Sequence, residues 1–195
     1  MFHNGPALQK IVSEASQAAS PASLREWGDK AFKGDGVAKN ARAGALFYYA
    51  AARRGDIQAQ YRLGALLAHD AGKNPLSVDE GLFWLGEAAK AGDAKASFLW
   101  SRHALRYRDD PATNRLILER LEKAADEGFA PAAFLLGSVF LYGQIVSPDE
   151  SRARSYFKRA ESLGSTEARA YLDSPTVWPR ESQRESPADN SGESS

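Results

Sequence analysis

The chain has 195 residues, balances 25 Lys and Arg against 25 Asp and Glu, and contains no cysteine. Zero net charge gives no bulk attraction for nucleic acid or for an acidic membrane surface. The missing thiols exclude disulfides, thiolate metal sites and cysteine nucleophiles.

Read from its first residue, the chain opens on MFHNGPALQKIVSEASQAAS. This stretch lacks a basic segment followed by an apolar run, and no window approaches about 18 consecutive apolar residues. Neither a secretory signal nor membrane insertion is expected, and a cytoplasmic location is the expectation. Residues 6–19 predict a short amphipathic helix within a capping region 1–23. Ser20-Pro21 then reads as a helix start.

From residue 24 onward the chain repeats itself. AARRGDIQAQYRLG (51–64) returns as AAKAGDAKASFLWS (88–101), AADEGFAPAAFLLG (124–137) and AESLGSTEARAYL (160–172). The anchoring glycines are Gly55, Gly92, Gly128 and Gly164, each with an alanine four residues on: Ala59, Ala96, Ala132 and Ala168. A period near 36 residues predicts stacked helical hairpins. The second helix of each hairpin is expected over 41–54, 79–91, 114–127 and 150–163, where apolar residues recur at three- and four-residue spacing. The first helices carry Trp27, Leu63, Trp100 and Leu136 as expected core positions, each followed by a small residue: Gly28, Gly64, Ser101 and Gly137. The glycines near 55 predict left-handed helix ends. Asp56 and Asp93 predict N-caps, as do Asp110 before Pro111 and capping boxes at Ser77-Val-Asp-Glu80 and Ser147-Pro-Asp-Glu150. A lone closing helix is expected over 165–172.

These residues resemble the Sel-one-like repeat family, a subclass of the tetratricopeptide-like solenoids. Gly34-Asp-Gly-Val37 with Asn40, and Gly143-Gln-Ile-Val146 with Asp149, match its loop; Phe47, Trp84 and Tyr156 match its aromatic position. The resemblance implies an all-α fold, a right-handed α/α superhelix of about four hairpins with terminal capping helices. The repeat domain spans 24–172, divided at 24–60, 61–97, 98–134 and 135–172. The third unit departs from the pattern: Ser101 replaces glycine, Arg120 replaces the aromatic, and Tyr107-Arg-Asp-Asp110 replaces the loop.

Residues 173–195 are rich in Ser, Pro and Glu and hold a single large apolar residue, Trp178, so a disordered tail is expected. Its two Arg and five acids give it three net negative charges, leaving the remainder with three positive ones. A tail that folds back over a basic groove follows from that split as an expectation.

No catalytic constellation emerges. The three histidines, His3, His69 and His103, lack metal-ligand spacing, and no cofactor or metal is expected. Ser155-Tyr-Phe-Lys158 matches S-x-x-K without its companion motifs, which leaves a hydrolase or β-lactam-binding protein as the alternative. Helical periodicity instead places a stripe on the concave face, one group per first helix. Arg25, Asp29, Phe32 and Lys33 come first, then Tyr61, Ala65, Ala68 and His69; Phe98, Arg102, Leu105 and Arg106 follow, then Phe134, Ser138, Leu141 and Tyr142. Aromatic and Arg groups are the usual anchors of interfaces. The expected partner-binding residues are Arg25, Phe32, Lys33, Tyr61, His69, Phe98, Arg102, Arg106, Phe134 and Tyr142. The expected function is a non-enzymatic adaptor that binds another protein or an extended peptide. A bacterial regulatory or immunity-type protein is one form, and a secreted effector an alternative.

Overall fold

Helix boundaries follow the local chemistry of the chain. The computed structural model describes residues 14–15, 17, 19–69, 75–107 and 109–174, the side chains of 75–77 excepted. Among them are nine helices and no strand: α1 (Pro21–Lys33), α2 (Ala41–Arg53), α3 (Ile57–His69), α4 (Pro75–Lys90), α5 (Ala94–Tyr107), α6 (Pro111–Asp126), α7 (Ala130–Tyr142), α8 (Glu150–Ser162) and α9 (Thr166–Asp173). The helices α1 and α2, α3 and α4, α5 and α6, and α7 and α8 pack as successive hairpins, and α9 packs on α8. They group into two units, α1–α6 ending at Phe129 and α7–α9 beginning at Ala130. Most of the expected N-terminal helix, and the tail with Trp178, lie outside the described residues.

Two kinds of turn punctuate the chain. Between hairpins, Gly55, Gly92, Gly128 and Gly164 adopt φ of 83°, 91°, 87° and 94°, a left-handed conformation that glycine enters without a Cβ penalty. Each turn ends its helix with paired backbone bonds, such as Gly55 N–H to Ala52 O at 3.0 Å and Asp56 N–H to Ala51 O at 3.2 Å. The next side chain then starts a new helix: Asp56 accepts from Ala59 N–H and Asp93 from Ala96 N–H, both at 2.8 Å. Within hairpins, the loops 34–40 and 143–149 share one construction. Asn40 N–H bonds Ala31 O at 2.8 Å, and Asp149 N–H bonds Phe140 O at 2.9 Å, while the two side chains cap α2 and α8.

Two expected starts shift. The N-cap of α8 is Asp149, bonded to Arg152 N–H, so Ser147-Pro148 lies before the helix instead of opening it. Helix α4 begins at Pro75, which puts Ser77-Val-Asp-Glu80 inside its first turns. Asp110 and Ser20 cap as expected.

The hairpins close on small residues. A Cβ added to Gly28 would stand 2.6 Å from Tyr48, and one on Gly44 would stand 2.3 Å from Phe32. In the second hairpin, a Cβ on Gly64 would lie 2.7 Å from Leu85 Cγ and 3.0 Å from Gly81 O. One on Gly81 would lie 2.8 Å from the Ala68 nitrogen. The partner glycines Gly44 and Gly81 were not singled out by the repeat pattern. In the second unit, a Cβ added to Gly137 would stand 2.7 Å from the Phe157 ring. The alanines of the repeat are all fully buried: Ala59, Ala96, Ala132 and Ala168.

The expected core positions are not equivalent. Leu63 and Leu136 are buried, whereas Trp27 is 38% exposed and rests edge-on against Phe47 at 5.8 Å. The same pair of positions in the third hairpin holds Trp100 and Arg120. There the guanidinium carbon sits 4.0 Å from the Trp100 ring centroid, a cation–π contact in place of the aromatic pair. Ser101 fills the glycine site of that hairpin with a buried hydroxyl that has no hydrogen-bond partner among the described residues.

Glycine-to-alanine changes are expected to have opposite signs at two positions of one hairpin. Gly64→Ala drives a Cβ against backbone and is expected to cost about 1–3 kcal/mol. Gly86→Ala meets nothing nearer than 3.7 Å and is expected to stabilise helix α4 by roughly 0.5–1 kcal/mol. Denaturant titration of both variants reads the two signs.

Candidate partner-binding face

In the first unit, α1 and α3 are tied together by buried and half-buried polar groups. The Asp29 carboxylate on α1 accepts the Tyr48 hydroxyl from α2 at 2.5 Å and the Arg62 guanidinium from α3. Arg62 also stands over the Tyr48 ring, 5.9 Å from its centroid. Burial, followed by the hydrogen bond to Asp29, pushes the Tyr48 hydroxyl up to about 12. The network holds three helices in one register and leaves the carboxylate compensated.

Above this network lies an open cavity of about 380 Å³. It is lined by Phe32 from α1, Tyr48 from α2, and Tyr61, Arg62, Ala65, Leu66 and His69 from α3. Phe32 is held in place by stacking on Tyr48, with centroids 5.3 Å apart. Three expected binding residues, Phe32, Tyr61 and His69, therefore share one depression. Leu66 and Arg62 were not among them. Arg62 carried a readable signal, because Asp29 was the lone acid of the inner stripe and needed a cation on the neighbouring helix.

The remaining expected residues fall into different environments. Arg25 donates to Asp56, the N-cap of α3, at 3.2 Å, so its charge is spent inside the unit. Lys33 is exposed in the last turn of α1. Ala68, one of the stripe positions, is buried in the core. On α5, Phe98 packs edge-on against Phe129 at 5.6 Å, and Arg102 lies over the Phe98 ring at 5.6 Å. Arg106 lies over the Tyr107 ring at 5.5 Å, and His103 stacks on the same ring. Burial lowers the His103 pKa, and the Arg102 and Arg106 charges lower it further.

In the second unit, Phe134 clusters with Phe157 and Tyr171, each 5.3 Å from it and 5.1 Å from one another. Tyr142 is 57% exposed, with its hydroxyl 3.4 Å from that of Tyr171. Ser155 and Lys158 are both exposed on α8, without the enclosed, desolvated setting that activates a serine nucleophile. Among the described residues no group of three or more His, Asp or Glu is placed to hold a metal, and no helix is long and apolar enough to cross a membrane.

The Sel1 repeat family model matches residues 21–56, 57–93 and 130–165, more than half of the chain. The chain belongs to the Sel1 repeat family. Sel1 repeat proteins are protein-interaction scaffolds. The family model passes over 94–129, the hairpin in which Ser101 and Arg120 break the pattern, yet α5 and α6 still form there. The chain is 29% identical over 119 residues to an uncharacterised protein of Neisseria meningitidis serogroup B, covering 61% of this chain and 24% of that one. A Sel1 repeat protein of Oxalobacter formigenes superposes with a TM-score of 0.64 at 26% identity, over 82% of this chain and 65% of that one. A protective antigen of uropathogenic Escherichia coli with the same repeat fold gives 0.71 at 24% identity, over 84% of this chain and 35% of that one. An immunity protein of Pseudomonas aeruginosa gives 0.54 at 23% identity, over 87% of this chain and 65% of that one. This Sel1 repeat chain thus spans less than two thirds of the length of each.

Two titrations report on this face. Tyr48 holds its proton more tightly when folded, so its contribution is complete below about pH 10 and is lost as pH rises toward about 12. Tyr48→Phe is expected to remove that alkaline loss and to cost about 1 kcal/mol at neutral pH. His103 holds its proton less tightly when folded, so its contribution is complete above about pH 6.5 and falls as the medium is acidified. His103→Gln is expected to flatten the melting temperature between pH 7 and pH 5, read by thermal denaturation at each pH.

Proposed function

We propose that this chain is a non-enzymatic interaction module that holds a partner protein or extended peptide on the inner faces of α1, α3 and α5. The cavity of about 380 Å³ beside Phe32, Tyr61, Leu66 and His69 carries the reading. Its volume falls at the small end of ligand pockets and suits one aromatic or branched side chain. Its floor is held by the Asp29–Tyr48–Arg62 network, so a partner meets a preorganised apolar seat with a compensated charge beneath it. Preorganised scaffolds with aromatic and Arg anchors bind through such faces. The likeness to an immunity protein makes a clasped bacterial toxin one concrete form of the partner.

The test is affinity capture from a lysate of the cells that encode the protein, with wild type compared against Ala65→Trp and Leu66→Glu. Circular dichroism establishes that each variant is folded. A protein retained by wild type and lost from both variants is the expected outcome. Equal retention by all three removes the cavity from the interface, and a wild type that retains nothing removes the adaptor reading.

A further inference from the structure

The chemistry of the partner can be read one helix further on, at α5, if α1, α3 and α5 form the binding face as proposed above. The arginines of this face are of two kinds. Arg25 is paired with Asp56, and Arg62 with Asp29. Arg102 and Arg106, one helical turn apart and both exposed, have no carboxylate within ion-pair distance among the described residues. Each guanidinium instead lies over an aromatic ring, Phe98 at 5.6 Å and Tyr107 at 5.5 Å. Tyr107 is itself 41% exposed.

We propose that the α5 face binds an acidic segment of the partner protein, with Arg102 and Arg106 receiving carboxylates and the Phe98 and Tyr107 rings receiving the apolar atoms beside them. Charge complementarity carries this choice. An arriving carboxylate gains a charge-assisted contact without breaking an existing pair. A guanidinium resting on a ring keeps its edge donors available while its face is partly desolvated. Nucleic acid is the poorer fit, because a chain with no net charge and two adjacent free arginines offers few phosphate contacts.

The probe is fluorescent poly-L-aspartate titrated at low ionic strength into the full chain. Arg102→Gln/Arg106→Gln is expected to weaken binding about tenfold, and Lys90→Gln/Lys95→Gln less than about twofold. His103 supplies a local readout by NMR, since carboxylates brought to Arg102 and Arg106 raise its pKa. Absent binding, an equal loss in both double variants, or a His103 titration that does not move overturns the inference. So does tighter, equally arginine-dependent binding of a single-stranded oligonucleotide. The Ala65→Trp variant separates the two readings, because it fills the cavity and leaves α5 intact. If it abolishes partner capture while polyaspartate fails to bind wild type, the scaffold stands and the acidic segment falls. If polyaspartate binds through the two arginines while no partner is captured, the scaffold reading falls instead.

Discussion

The close approach of two helices within each hairpin is the constraint on which the rest depends. Where Gly28 meets Gly44 and Gly64 meets Gly81, a single added carbon would lie within about 3 Å of a neighbouring ring or backbone atom. Interiors packed at crystal-like density have no slack for it. Close packing at these crossings brings Tyr48 across from α2 to reach Asp29 on α1, and lets Leu85 cover Gly64. The cavity beside Phe32 and Tyr61 therefore depends on residues that do not line it.

Polar groups finish what the small residues begin. The aspartates that start α3 and α5 each do two jobs. Asp56 caps its own helix and accepts from Arg25, while Asp93 caps its helix and accepts from Gln58 at 2.8 Å. Each cap thereby ties a helix start to the preceding hairpin. Asp56 is the harder of the two to replace, because removing it leaves the partly buried Arg25 donor without a partner, whereas Gln58 is exposed to solvent.

The third hairpin shows how a repeat tolerates broken rules. Arg120 occupies a position that is aromatic elsewhere, and Trp100 supplies the ring that the position lacks. The exchange preserves flat, polarizable contact between α5 and α6. It also explains how a hairpin outside the family match keeps the family's geometry. The same hairpin carries Arg102 and Arg106, so the departure from the repeat and the two unpaired arginines fall in one place.

The sequence by itself determined the described helices, their order and most of their punctuation, though not the starts at Pro75 and Glu150. Glycine at a left-handed end, Asp or Ser at a cap and an apolar stripe at helical spacing are local requirements, and the repeat states them several times over. It also put Phe32, Tyr61 and His69 on one stripe, and they line one depression, because periodicity within a helix needs no knowledge of the neighbours. Tertiary structure alone decided which charges remained free. Arg25 and Arg102 look alike in the sequence, yet Arg25 is paired with an aspartate 31 residues away and Arg102 is not. Tertiary structure also decided that Trp27 stands half in solvent, that Gly44 and Gly81 are the partners of Gly28 and Gly64, and that Arg62 completes the floor of the cavity. The physical reason is the same for each. Pairing and burial depend on distances between helices, and those distances are set by packing, which no single turn of the chain encodes.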